Sequence, residues 1–235
     1  MLWMAMTLVF GLDHDTDEAL KVFSKDYGAP APVVRAAAVT ELAKIRNAVT
    51  RARLGGLLQV DEEAVRIAAA EGLGDFTEEK DKVASLLIAA VAPNAKLFRA
   101  EAAMLTALGK LGDESALSSI HSSFESRDPK DTDFAVAKAA LKAAGMLRSR
   151  DSIEPLLDLG KRFEKLLKGG GTKQGGKSGG TGLGIAGGTP DPQTARAKAL
   201  MPAVIKALQA ISKEKWATLV EWEIWWDRHK ATFKP

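Results

Sequence analysis

Residues 65–75 read Val65-Arg66-Ile67-Ala68-Ala69-Ala70-Glu71-Gly72-Leu73-Gly74-Asp75. Alanine is the best helix former, and its short side chain lets neighbouring helices approach closely. The run ends on a Gly-Asp step, where a helix stops and the chain turns. The same phrase stands upstream as Val34-Arg35-Ala36-Ala37-Ala38-Val39-Thr40-Glu41-Leu42. Downstream it recurs from Ala100 through Ala107-Leu108-Gly109 to Gly112-Asp113, and again from Ala139-Ala140-Leu141 to Ala143-Ala144-Gly145-Met146-Leu147.

Aligned on Leu42, Leu73, Leu108 and Ala144, the versions are 31, 35 and 36 residues apart. A period in this range marks a solenoid, whose units cannot bury their apolar faces alone and stack into one continuous core. Period-two alternation of strand formers occurs nowhere, so the fold class is all-α. Each unit reads as two helices. Asp61, Asn94 and Asp113 are expected to cap helices, and Thr77 to start one. Asp151 and Glu154 are expected to form a capping box, and Ser212 to cap the last helix. Pro93 stops a helix, and Pro202 either opens or kinks one. Gly74, Gly109 and Gly145 are expected at helix ends.

The repeated phrase resembles the HEAT-like repeats of the phycobilisome-lyase type, most closely at Ala107-Leu108-Gly109-Lys110-Leu111-Gly112-Asp113-Glu114-Ser115-Ala116-Leu117. The resemblance covers about residues 31 to 168. It implies an α-solenoid of stacked antiparallel helix pairs, and a scaffold rather than an activity. The pattern's arginine is present as Arg35 and Arg66, but that slot holds Glu101 in the third unit and Ala137 in the fourth. The later units are therefore expected to pack with a different helix angle. The ending Trp222 to Phe233 also resembles the tail of HEAT-repeat proteins from planctomycete-type bacteria.

Four regions follow. Residues 1–12 are an apolar segment too short to span a bilayer. It reads either as an export signal cleaved after Gly11 or as a helix docked on the first repeat, so periplasmic and cytoplasmic locations both stay open. Residues 13–168 hold the repeats. Residues 169–192 are Gly-rich and interrupt the solenoid as a flexible, disordered linker. Residues 193–235 are a Trp-rich helical pair expected to close its end.

The chain contains no cysteine, which excludes disulfide scaffolds and thiolate metal sites. His14, His121 and His229 lie far apart, with no HExxH spacing, so no metal ligand is assigned. Gly171 to Ser178 fits the Walker A spacing, and Gly182 to Gly187 the dinucleotide pattern. Both lack the strand before and the helix after that make such loops hold phosphate. No catalytic residue and no cofactor is assigned. The net charge of +3 does not demand a polyanion, and the basic stretch Lys161, Arg162, Lys165, Lys168, Lys173 and Lys177 is not interleaved with aromatics. A nucleic-acid partner is therefore not expected.

The expected function is non-catalytic: a scaffold that binds a protein partner. Contributors to its surface are Lys82, Ser119 and His121 on the second helices of their pairs. Trp225 and His229 lie on one side of the last helix, away from the face shared by Trp216, Leu219, Val220, Trp222, Ile224 and Trp226. Trp225 is expected either to pack on the preceding helix or the linker or to stand as an exposed anchor for a partner, and Trp222 is a further candidate. Three alternatives remain: an enzyme in the manner of HEAT-like bilin lyases or alkylpurine DNA glycosylases, a nucleic-acid-binding HEAT-like protein, and a purely structural module lost from a larger assembly.

Overall fold

The alanine-rich runs form helices bounded by prolines, glycines and short polar side chains. The computed structural model describes residues 16–126, 128, 130–169 and 191–235. The apolar N-terminal segment, His14, both glycine-rich phosphate-loop matches and nearly all of the linker lie outside the described residues. Within them the chain is helical throughout: α1 (16–27), α2 (Pro32–Leu42), α3 (Ala48–Leu57), α4 (Glu63–Leu73), α5 (Lys80–Val91), α6 (Phe98–Leu111), α7 (Leu117–Ser123), α8 (Ala135–Leu147), α9 (Ile153–Gly169), α10 (Pro192–Ser212) and α11 (Leu219–His229). No strand occurs among the described residues.

The helices stack in two layers. Helices α2, α4, α6, α8 and α10 lie side by side in that order, α3, α5, α7 and α9 cover them, and α11 packs on α9. This is the expected α-solenoid. The four positions that set the period, Leu42, Leu73, Leu108 and Ala144, are all buried in one continuous core. Helix α10 packs on α8 and α9, and so takes the place of the next first helix.

Several caps differ from expectation, because tertiary partners claim the polar side chains. Asp61 does not cap α4. Its carboxylate accepts from Arg35 Nη2 at 2.8 Å and from the Tyr27 hydroxyl. Arg35 beside it holds the Asp61 carboxyl down at about 2, while burial pushes the Tyr27 phenol up to about 12. Asn94 is fully buried and donates to Leu58 O (2.9 Å) and Ala90 O (2.8 Å), and its Oδ1 accepts from Arg66 Nη1 (2.9 Å). Asp61 and Asn94 thus link successive repeats through the two pattern arginines.

In the third unit Glu101 stands in the arginine's slot, and the link changes. Buried Glu101 faces Asp131, and Asp131 caps α8 by accepting from Ala135 N (2.8 Å) and Val136 N (3.1 Å). Ser149 rather than Asp151 caps the turn before α9. Thr218 with Glu221 forms the capping box of α11, not Ser212. Helix α5 starts at Lys80, after Glu79 in the left-handed region, rather than at Thr77. Asp113 caps a short 3-10 turn as expected, and Pro202 lies inside α10.

Gly109 and Gly145 are not at helix ends but inside α6 and α8. The left-handed residue that ends α6 is Gly112 (φ 69°). Gly74 does end α4, as expected, and all three glycines serve contact: an added Cβ would lie 2.9 Å from Ala107 Cα at Gly74, 2.6 Å from Ala143 Cα at Gly109 and 3.2 Å from Ala207 Cα at Gly145. Neighbours without bulky side chains bring these axes close on the α2–α10 layer. In the covering layer the glycines meet side chains instead of backbone: an added Cβ would lie 2.9 Å from Leu86 Cδ1 at Gly55 and 2.7 Å from Leu219 Cδ1 at Gly160. The small-residue α2–α10 layer is the inner one and carries both grooves described below.

Candidate functional site

The inner layer carries two consecutive grooves, each floored by small side chains. One, of about 640 Å3, runs between α2, α4 and α6 over Ala43, Gly72 and Ala103. Its rim mixes charges: Lys44, Arg46, Arg99 and Lys110 with Glu71 and Asp75. Lys110 reaches Asp75 at 3.0 Å. The other, of about 620 Å3, lies between α6, α8 and α10 over Gly109, Gly145 and Ala207. Its charged residues are Lys110, Lys138, Lys142, Arg148 and Lys206, with no carboxylate among them.

The predicted surface residues do not gather here. Lys82 and Ser119 stand on α5 and α7, in the outer layer. Lys82 is ion-paired with Glu79, and the Ser119 carbonyl accepts from the Ser122 and Ser123 hydroxyls at 2.9 Å. His121, also on α7, is half-buried, with Nε2 at 2.9 Å from Ser152 Oγ. Burial pushes its imidazole down, and Asp151 opposes that shift. Ser152 is fully buried, so this Ser–His pair closes a packing contact and leaves Oγ no approach for a substrate.

Trp225 is buried rather than exposed, at 7%. Its ring stacks on His229 at 5.2 Å and meets Trp222 and Phe233 edge-on. Trp222 is fully buried, and its indole N–H donates to Trp216 O at 3.2 Å. The exposed apolar positions of α11 are Val220 and Ile224, which the helical-wheel reading had placed inside. The buried face is Leu219, Trp222, Trp225 and Trp226, a triplet-and-quartet spacing offset from the expected one. His229 is exposed, and its Nδ1 lies 2.7 Å from Trp225 O.

The basic stretch that stood out in the sequence is largely neutralised on α9. Lys161 pairs with Glu223 at 3.2 Å, Arg162 with Glu125, and Lys168 with Glu164 at 2.9 Å. The cations of the second groove went unnoticed because they are scattered from residue 110 to residue 206. The signal available was the lack of any Asp or Glu in α8 and α10, beside lysines spaced one turn apart.

No group of metal-binding side chains occurs among the described residues, and none of the described helices is long and apolar enough to cross a membrane. No curated protein matches this chain. A family model of HEAT repeats matches residues 20–105, the span from α1 into α6. With its paired helices stacked into two layers over one shared core, the chain has the architecture of a HEAT-type α-solenoid, and residues 20–105 are similar to HEAT repeats.

Proposed function

We propose that this chain is a non-catalytic scaffold that binds a protein partner on its inner helix layer. One observation carries the reading: two adjoining grooves lie on the same layer, floored by small side chains and rimmed by exposed polar ones. Solenoids use such elongated concave faces for binding, and these faces need no catalytic residue. The expected contributors on α5 and α7 face the other way, so the binding surface is reassigned to the first helices of the pairs.

The test is partner capture from an extract of the source organism, with bulky side chains blocking each groove. Thr40→Trp and Ala210→Trp sit at exposed rim positions of the first and second groove. At least one is expected to abolish capture, while outer-layer Lys82→Ala leaves it intact. Capture indifferent to both tryptophans but lost in the outer-layer variant would reverse the assignment.

A further inference from the structure

We propose that the groove between α6, α8 and α10 docks an acidic peptide segment of the partner protein. This rests on the inner-layer scaffold reading and names the chemistry of what binds there.

Helices α8 and α10 contain no Asp or Glu, and the single acid of α6, Glu101, is buried. Lys138 and Lys142 stand one turn apart on the exposed side of α8. Arg148 ends that helix in the left-handed region (φ 54°), and Lys206 is exposed on α10. No described carboxylate pairs with any of these four. Yet the chain holds 30 acidic residues against 33 basic ones, and elsewhere the two sorts meet. Like charges gathered without counter-charges repel one another, and their field focuses in a concave site. A carboxylate-bearing ligand relieves that repulsion. The Lys110–Asp75 pair at 3.0 Å shows a carboxylate already seated on one rim lysine.

The floor selects the kind of polyanion. Gly145, Met146, Ala203, Ala207 and Ala210 present small or adaptable apolar surface between the cations. A peptide alternating acids with small apolar side chains satisfies both features; methionine repacks readily around such groups. A nucleic acid fits less well. No aromatic side chain lines the groove for base stacking. The positive rim is also interrupted at the next groove by Glu71 and Asp75, against which a continuous phosphate chain would run.

The test is fluorescence anisotropy of the full chain with three labelled probes: a Glu–Ala alternating peptide, its Gln–Ala counterpart and a single-stranded oligonucleotide of matched charge. The Glu–Ala peptide is expected to bind, with affinity falling as salt rises, and the Gln–Ala peptide to bind at least about fivefold more weakly. The double variant K142E/K206E should weaken Glu–Ala binding by about tenfold or more. The control K165E/K215E, at exposed positions outside the groove, should stay within about twofold. Circular dichroism checks the fold, and K142Q/K206Q replaces the reversal if it unfolds.

Equal binding by wild type and K142E/K206E would overturn the proposal. So would an oligonucleotide that binds more tightly than the peptide and is lost in the same variant. Failure of the Glu–Ala peptide while extract capture still depends on Thr40 or Ala210 would sink this inference and leave the scaffold standing. Capture indifferent to both positions would remove the inner-layer assignment on which this inference rests.

Discussion

Gly109 and Ala143 touch across the boundary between α6 and α8: a Cβ on Gly109 would lie 2.6 Å from Ala143 Cα and 2.9 Å from its Cβ. Real Cβ atoms do not approach that closely, so the absence of a side chain at residue 109 sets the separation of two inner helices. The similar Gly74–Ala107 contact brings α4 and α6 together in the same way.

Gly109→Ala is therefore expected to destabilise, against its own helix propensity. In an open helix, replacing glycine by alanine gains about 1 kcal/mol. At Gly56, on α3, nothing lies within 4 Å of the added Cβ, and Gly56→Ala should follow that rule. At Gly109 the overpacking should cost about 1–3 kcal/mol net. Urea unfolding of the two variants checks the opposite signs.

Asn94→Ala should cost about 2–4 kcal/mol. The change removes two donors from the carbonyls of Leu58 and Ala90 and the acceptor of Arg66 Nη1, all at a fully buried position. An unfolding midpoint unmoved from wild type would show that the link between the second and third units is dispensable.

Glu101 and Asp61 should shape the pH dependence of stability in opposite ways. Burial, with Asp131 adding to it, pushes the Glu101 carboxyl up to about 6. The folded state then binds the proton more tightly than the unfolded one, so this group's contribution to stability falls as pH rises from about 4.5 to about 6. Glu101→Gln should raise stability at neutral pH by about 1–2 kcal/mol and flatten that limb. The Asp61 carboxyl is held at about 2, so its contribution is present above its ordinary value of 3.8 and is lost as pH falls toward 2. Asp61→Asn should remove that acid limb and lower stability at neutral pH. Thermal unfolding between pH 2 and pH 8 reads both limbs.

Trp225→Ala should destabilise by about 3–5 kcal/mol, because the ring is buried against Trp222, His229 and Phe233. Val220→Ser and Ile224→Ser, at positions 54% and 49% exposed, should each change stability by no more than about 0.5 kcal/mol. Thermal melts that ranked the three the other way would restore Trp225 to the surface.

Much of the fold was legible in the chain. The periods drawn from Leu42, Leu73, Leu108 and Ala144 point to core positions, because burial on one helix face repeats with the helix itself. The caps were less legible. Asp61 and Asn94 have the right chemistry to cap, but a partner more than twenty residues away in sequence claims each side chain. The rotation of α11 is not legible in the sequence because six of its residues are apolar or aromatic and only contact with α9 chooses among them.

The amino-acid order alone determined that this protein is a stack of helix pairs, since helix propensity and apolar periodicity are properties of neighbours along the chain. Which layer lies inside, which tryptophans are covered, and the meeting of Lys138, Lys142, Arg148 and Lys206 in one groove were decided only in three dimensions. Those outcomes depend on how each helix rolls against the next, and that roll is set by which small side chains let two helices touch.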